Sequence, residues 1–144
     1  MMYEQPPENF NPKFEVVSCF LERGEKMALL HRQDHKAEGN TWGAPAGKIK
    51  GNESMLEAMA RELKEETGLK KDQSQFSYFS KVYVRFPEYD FVYHMFHLEL
   101  ALEEEIIINY DEHKDHKWIT PKDSLKLPLI QDQDSCIKLF YNLS

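Results

Sequence analysis

Between residues 55 and 67 the positions Leu56, Ala60, Leu63 and Thr67 recur every three or four residues, which is the spacing of one face of an α-helix. The pattern predicts a helix over Met55–Thr67 with that stripe buried. Ser54 followed three residues later by Glu57 fits a capping box, and Gly68 stands where a left-handed residue would end the helix. Elsewhere the apolar positions suit strands: Phe14–Glu22 and Lys26–Arg32 joined by a tight turn, then Phe76–Phe86 and Asp90–Leu100 around Pro87-Glu88. Ile106–Asn109 and Lys117–Ile119 read as short strands, and Ser135–Tyr141 as a terminal amphipathic helix. The intervening stretch Gln33–Ala46, with Gly39, Asn40 and Pro45, reads as a loop at the entrance of a site.

The polar side of the central helix carries the chemistry. Ala58, Glu62, Glu65 and Glu66 fall on or beside a face other than the apolar stripe, and three like charges crowd one turn, each opposing the ionisation of the others. Such a patch calls for a cation. Hard divalent ions take carboxylate and carbonyl oxygens, and Mg²⁺ is usually held by a few carboxylates together with the phosphates of its substrate. A solvated amphipathic helix with its glutamates in water is the plain alternative. Against it stand Glu53 and Arg61, and the APAGKIKG loop that leads into the helix.

The whole segment reads GKIKGNESMLEAMARELKEETGL from Gly47 to Leu69. Gly47, Glu53, Arg61, Glu62, Leu63, Glu65, Glu66, Gly68 and Leu69 match the signature of the Nudix hydrolases, which the chain therefore resembles. Trp42 to Gly47, WGAPAG, resembles that family's approach to its motif, and Glu112 followed six residues later by Trp118 resembles its distal acidic loop. Ala46 departs from the pattern, since many members carry glycine there; the position supplies a backbone carbonyl, so alanine is compatible if its dihedrals are ordinary.

Composition agrees with one ordinary domain over residues 1–144, with residues 1–12 as an N-terminal arm. The chain has 144 residues, 41% of them hydrophobic, and no repeat or low-complexity tract. MMYEQPPENF lacks the basic and apolar regions of a secretory signal, and no apolar run approaches membrane length. Cys19 and Cys136 have no metal-type spacing, which fits buried thiols in a reducing compartment; a cytoplasmic protein without a membrane partner is the expectation. The net charge of −7 leaves no broad basic footprint for long nucleic acid. Small anionic substrates remain open to it, provided a divalent ion and a few local cations bridge the repulsion.

The resemblance implies a mixed β-sheet between helices, an α/β/α sandwich. It implies Mg²⁺, or Mn²⁺, held by Glu62, Glu65 and Glu66, the carbonyl of Ala46, and Glu112. Glu53 and Arg61 would form a charge-assisted pair that keeps loop and helix in register. Glu62 or Glu112 would act as general base toward the attacking water. Arg32 and Lys48 match positions that contact phosphates, and Gln131 or Asp132 falls where MutT-like members read a base edge, with Phe86 and Trp42 as aromatic neighbours.

The implied reaction is hydrolysis of a phosphoanhydride in a nucleoside diphosphate linked to another group. The short chain resembles the MutT-like nucleoside triphosphate pyrophosphatases more than the larger ADP-sugar enzymes. ADP-ribose or dinucleoside polyphosphate hydrolysis is the second reading: Pro87 lies late for the first of these, and Tyr83 and Tyr89 straddle the tyrosine position of the second. A nucleotide sensor without turnover is the third, and the complete set of acidic residues argues against it. A homodimer is compatible with the resemblance. Of the histidines, His94 and His97 should point to opposite faces of one strand, His113 and His116 belong to the acidic loop, and His31 and His35 flank the entrance.

Overall fold

Period-two alternation along Pro12–Arg23, the strand β2, sends Val17, Cys19 and Leu21 into one apolar core and Phe20 into another on the opposite side of the sheet. The computed structural model describes all 144 residues. Around β2 stand β1 (Met2–Tyr3), β3 (Lys26–Arg32), β4 (Trp42–Gly43), β5 (Ala46–Lys48), β6 (Ser77–Arg85), β7 (Asp90–Glu99) and β8 (His113–Ile119). The main order is β1-β6-β7-β2-β3-β4, with β5 also pairing β2 and β8 also pairing β3. Only β2 and β7 run parallel. A parallel pair needs a long crossover, and the chain supplies it through α1 (Met55–Thr67).

Helix α1 covers the Val17 face, where Ala58, Met59 and Leu63 join Leu30, Phe96 and Leu98. On the other face α3 (Gln133–Tyr141) adds Cys136 and Ile137 to Met27, Leu29 and Met95, and Phe140 stacks on Phe20 at 4.6 Å. A mixed sheet between two helical layers is thus an α/β/α sandwich. The short helix α2 (Pro121–Ser124), capped by Thr120, leads into the α3 layer. No helix is long and apolar enough to cross a membrane. Both thiols are buried, and burial raises their pKa, that of Cys136 to about 12.

Several elements depart from the sequence reading. The segment Ile106–Asn109 forms no strand: the Ile107 N–H bonds the Thr67 carbonyl at 2.8 Å, tying the segment to the end of α1 instead of to the sheet. Strand β8 begins at His113, so His113 and His116 lie in a strand and not in a loop, with Glu112 just before its first residue. Residues 33–46 contain β4 and the first residue of β5. The N-terminal arm includes β1, which pairs with β6.

The roll of α1 also differs. Its buried residues are Ala58, Met59, Glu62, Leu63, Glu66 and Thr67, while Leu56 and Ala60 are only partly buried. Two glutamates are therefore turned toward β5 and away from water. Burying a carboxylate is costly unless polar partners meet it. Here the Ala46 N–H donates to Glu66 Oε1 at 2.8 Å and Arg61 Nη1 donates to Glu62 Oε1 at 2.8 Å.

Candidate active site

The site forms where β5 meets the carboxylate side of α1. Gly47 is required there by space, since its φ lies outside the left-handed region. A Cβ at that position would meet Glu62 Cδ at 2.0 Å and the two carboxylate oxygens at 2.2 and 2.3 Å. Ala46 likewise has no positive φ, so alanine in place of glycine introduces no backbone strain.

Helix α1 is fixed at its start by the capping box, with Glu57 N–H donating to Ser54 Oγ at 3.1 Å and Ser54 N–H to Glu57 Oε1 at 2.9 Å. One turn on, Arg61 ties loop and helix together. Its Nε and Nη2 grip Glu53 in a two-point pair at 2.6 and 2.9 Å, and Nη2 also donates to the Lys48 carbonyl at 3.0 Å. Nη1 reaches Glu62 and, at 3.3 Å, Glu65 on the exposed rim. Glu53 in turn accepts from the Lys50 N–H at 2.8 Å.

These contacts separate the carboxyls electrically. The Arg61 hydrogen bond, then the Lys50 N–H, hold Glu53 down to about 2. Burial pushes Glu62 upward, opposed by its bond to Arg61. Burial raises Glu66 well above the usual carboxylate range, with the Glu62 charge adding to it and the Ala46 N–H opposing. The two buried acids are held at an electrostatic cost that a nearby cation would relieve.

Across from them stands Glu112, paired with Lys36 at 3.1 Å. A cleft of about 560 Å³ is lined by Arg32, Lys36, Ala46, Lys48, Glu62, Glu65, Glu66 and Glu112 among others. Arg32 Nε donates to the Ala37 carbonyl at 2.8 Å. Behind this wall His113 is buried, which lowers its pKa to about 4 and keeps it neutral.

Beside the cleft lies an apolar groove of about 210 Å³, walled by Phe14, Val16, Phe86, Tyr89, Phe91 and Tyr93 and closed by Gln131, Asp132 and Gln133 at the start of α3. Lys48 lines both cavities, its ammonium 4.1 Å from the centre of the Phe14 ring. The Gln133 amide is fixed by the Ala44 N–H on its Oε1 at 3.1 Å, which leaves its buried Nε2 without a partner.

The structure therefore gathers Arg32, Ala46, Lys48, Glu62, Glu65, Glu66 and Glu112 in one cleft, puts Glu53 and Arg61 behind it, and sets Gln131 in the adjoining groove. Trp42 is not available to a ligand: it is buried and stacks on His31 at 4.2 Å. Neither His31 nor His35 lines the cleft. His94 is buried between Glu15 and Tyr78, and His97 faces Glu22 on the other side of β7. Sequence reasoning missed Lys36, Glu38, Lys50, Asn109 and Gln133, none of which carries a local pattern that marks it.

The donor set is oxygen only and fits a hard divalent ion such as Mg²⁺ or Mn²⁺. No group of three or more His, Cys, Asp or Glu side chains is drawn tightly enough to hold an ion alone.

A family model described as "NUDIX domain" matches residues 12–140. The CTP pyrophosphohydrolase of Escherichia coli (strain K12) is 26% identical over 117 residues, 80% of this chain and 82% of that protein. Among solved structures, the MutT protein from Methanosarcina mazei Go1 superposes with a TM-score of 0.78 at 21% identity, over 92% of this chain and 95% of that one. A bifunctional NMN adenylyltransferase/ADP ribose pyrophosphatase from Francisella tularensis, complexed with AMP and a Mn ion, gives a TM-score of 0.71 at 20% identity, over 93% of this chain and 42% of that one.

Proposed function

The chain belongs to the NUDIX domain family, and on that premise we propose that it is a divalent-metal-dependent hydrolase of a phosphoanhydride in a nucleoside diphosphate derivative, a nucleoside triphosphate that it splits into monophosphate and pyrophosphate. One observation carries the reading: an acidic cleft that suits a metal-bridged diphosphate shares Lys48 with an aromatic groove that suits a nucleoside. Similarity to a CTP pyrophosphohydrolase supports it. Residues 1–144 act as one catalytic domain in this reading.

Glu62, Glu65 and Glu66 hold the ion together with the Ala46 carbonyl, and Glu112 completes the set from the opposite wall. Bound there, Mg²⁺ or Mn²⁺ supplies Lewis-acid stabilisation of the charge on the phosphate oxygens. Arg61 keeps Glu62 in one orientation, and its grip on Glu53 fixes Arg61 itself. Arg32 and Lys48 contact phosphates, Lys48 leaving the Phe14 ring for a stronger charge-assisted bond. Glu62 or Glu112 orients the attacking water and takes its proton; both face the cleft, and burial raises the basicity of Glu62. Phe86 and Tyr89 cover the base while Gln131 and Gln133 meet its edge.

Release of phosphate and pyrophosphate from ordinary and oxidised nucleoside triphosphates, ADP-ribose and diadenosine polyphosphates, each with Mg²⁺, Mn²⁺ or chelator, tests this directly. Metal-dependent pyrophosphate release from a triphosphate is the expected result. AMP with ribose phosphate from ADP-ribose would instead place the chain among ADP-ribose hydrolases, and a folded protein that turns over nothing would be a sensor.

Two substitutions check the assignment of parts. Phe86→Ala should raise KM about tenfold with kcat nearly unchanged, because stacking on a base contributes to binding in the ground and transition states alike. Equal loss in kcat would remove the base from the groove. Arg61→Lys keeps a charge but not the planar fork, and should lower kcat about ten- to a hundredfold. Turnover within twofold of wild type would show that the fork is dispensable.

A further inference from the structure

Four cations line the acidic cleft: Arg32, Lys36, Lys48 and Lys50. Only one of them is ion-paired with a carboxylate of the same cleft. Lys36 Nζ sits 3.1 Å from Glu112 Oε1. Lys48 rests on Phe14, and Arg32 is turned to the Ala37 carbonyl. On the facing wall Glu62 and Glu65 are satisfied by Arg61, and Glu66 by the Ala46 N–H. Each acidic group has a partner, Arg61 being shared, and the partner of Glu112 is the one whose side chain is mounted on a loop.

The loop is pinned at both ends and along its length, by Arg32 on the Ala37 carbonyl and by the Gln131 N–H on the Glu38 carboxylate. The Gln33 N–H donates to the Glu112 carbonyl at 3.0 Å, and Arg32 and Thr41 are joined by a backbone bond at 2.9 Å. Lys114 bonds Asp34 at 2.5 Å and also reaches Asn40. Lys36 itself is held only by its N–H on the Gln33 carbonyl at 3.2 Å and by Glu112. Both side chains of the pair are about a third exposed, 30% and 39%. Partly exposed pairs of this kind are weak and are screened by salt. The Lys36 stem can therefore swing without disturbing the loop's anchors.

We propose that Lys36 is a transferable counter-cation: it neutralises Glu112 while the cleft holds no metal, gives Glu112 up when a divalent ion binds, and passes to a phosphate oxygen of the substrate. The exchange rests on the metal-binding role of Glu112 in the proposed function. It balances charge at each stage, because the ion replaces the ammonium on the carboxylate and the phosphate replaces the carboxylate on the ammonium. Lys36 is thus a competitor of the metal and an ally of the phosphate. A residue that merely braces the loop has neither property.

The opposite signs make the test decisive. Mn²⁺ binding alone is measured by the loss of free-ion EPR signal, and methylenediphosphonate binding to the Mn²⁺-loaded protein by calorimetry, for wild type, Lys36→Met and Lys36→Arg. Lys36→Met should bind Mn²⁺ about two- to fivefold more tightly, since a weak competing pair is gone. It should bind the diphosphonate about tenfold or more weakly, since a charge-assisted contact is gone. Lys36→Arg should stay near wild type in both. Raised salt should narrow the Mn²⁺ difference between Lys36→Met and wild type. Unchanged or weaker Mn²⁺ binding in Lys36→Met overturns the exchange while leaving the metal site standing. A wild-type protein that binds no Mn²⁺ overturns both.

Discussion

Glu66→Gln is expected to abolish most turnover and at the same time to stabilise the metal-free protein. The activity loss, about 10²- to 10³-fold in kcat, follows from removing one fixed charge from the electrostatic machinery of the cleft. The stability gain follows from burial. Glu66 is almost wholly enclosed, its one hydrogen bond is to the Ala46 N–H, and it faces the charges of Glu62 and Glu112. Glutamine is isosteric and keeps an acceptor for that N–H. It removes only the charge, for a gain of about 1–2 kcal/mol or about 3–6 °C in Tm at neutral pH.

The pH dependence has a definite sign. Burial holds the folded-state pKa of Glu66 well above the ordinary glutamate value of 4.5. Its contribution is therefore fully present below that value and is lost as pH rises through the folded pKa. Wild type and Glu66→Gln should melt together near pH 4 in chelator and diverge above it, the variant being the more stable. Mn²⁺ should reverse the order at neutral pH, because an ion that binds only the folded state stabilises wild type by mass action. Thermal melts at several pH values, with and without Mn²⁺, measure all of this. A variant less stable than wild type in chelator at pH 7 would show that Glu66 carries no stored electrostatic cost.

How much of this was legible beforehand depends on how local each signal is. The span of α1 was readable because Ser54, Glu57 and Gly68 are adjacent in sequence to what they cap. Its roll was not, because the burial of Glu62 and Glu66 is decided by Gly47 and Ala46 on another element. Strands β4 and β5 have two and three residues, too few to show a period. In β8 the polar run His113–His116 reads as loop and only Lys117–Ile119 as strand, although the backbone pairs with β3 over nearly the whole of His113–Ile119. Ile106–Ile108 misled in the other direction: three apolar residues suggest a strand, but only Ile106 is buried and Ile107 is exposed beside Gly68. The motif pointed to Glu62, Glu65 and Glu66, which the fold gathers in one cleft, because its signal is local to one helix. Lys36 and Gln133 are brought to the two cavities by tertiary structure alone.

Gly47→Ala should lower kcat by about a hundredfold or more without touching a single charge. The added methyl would overlap all three carboxylate atoms of Glu62, and that carboxylate is not the loose end of a flexible side chain. Arg61 holds it at 2.8 Å, and Arg61 is itself held by Glu53 through two bonds and by the Lys48 carbonyl. Either the carboxylate rotates out of the Arg61 fork or β5 retreats from α1. Both displace the Glu62 carboxylate by about 1 Å, and misplacement on that scale in an active site costs about 10² in rate. Overpacking should also cost about 1–3 kcal/mol of stability.

Gly24→Ala supplies the contrast, because Gly24 has φ +60° with nothing within 4 Å of the added Cβ. There the cost is backbone strain of about 1–2 kcal/mol with kcat unchanged. Glu62→Asp shortens the crowded side chain by one methylene, so the double variant Gly47→Ala/Glu62→Asp should bind Mn²⁺ better than the two single losses predict when added. Strict additivity would mean that the methyl acts somewhere other than on Glu62, and the packing of Gly47 against that carboxylate would lose its place in the account of the site.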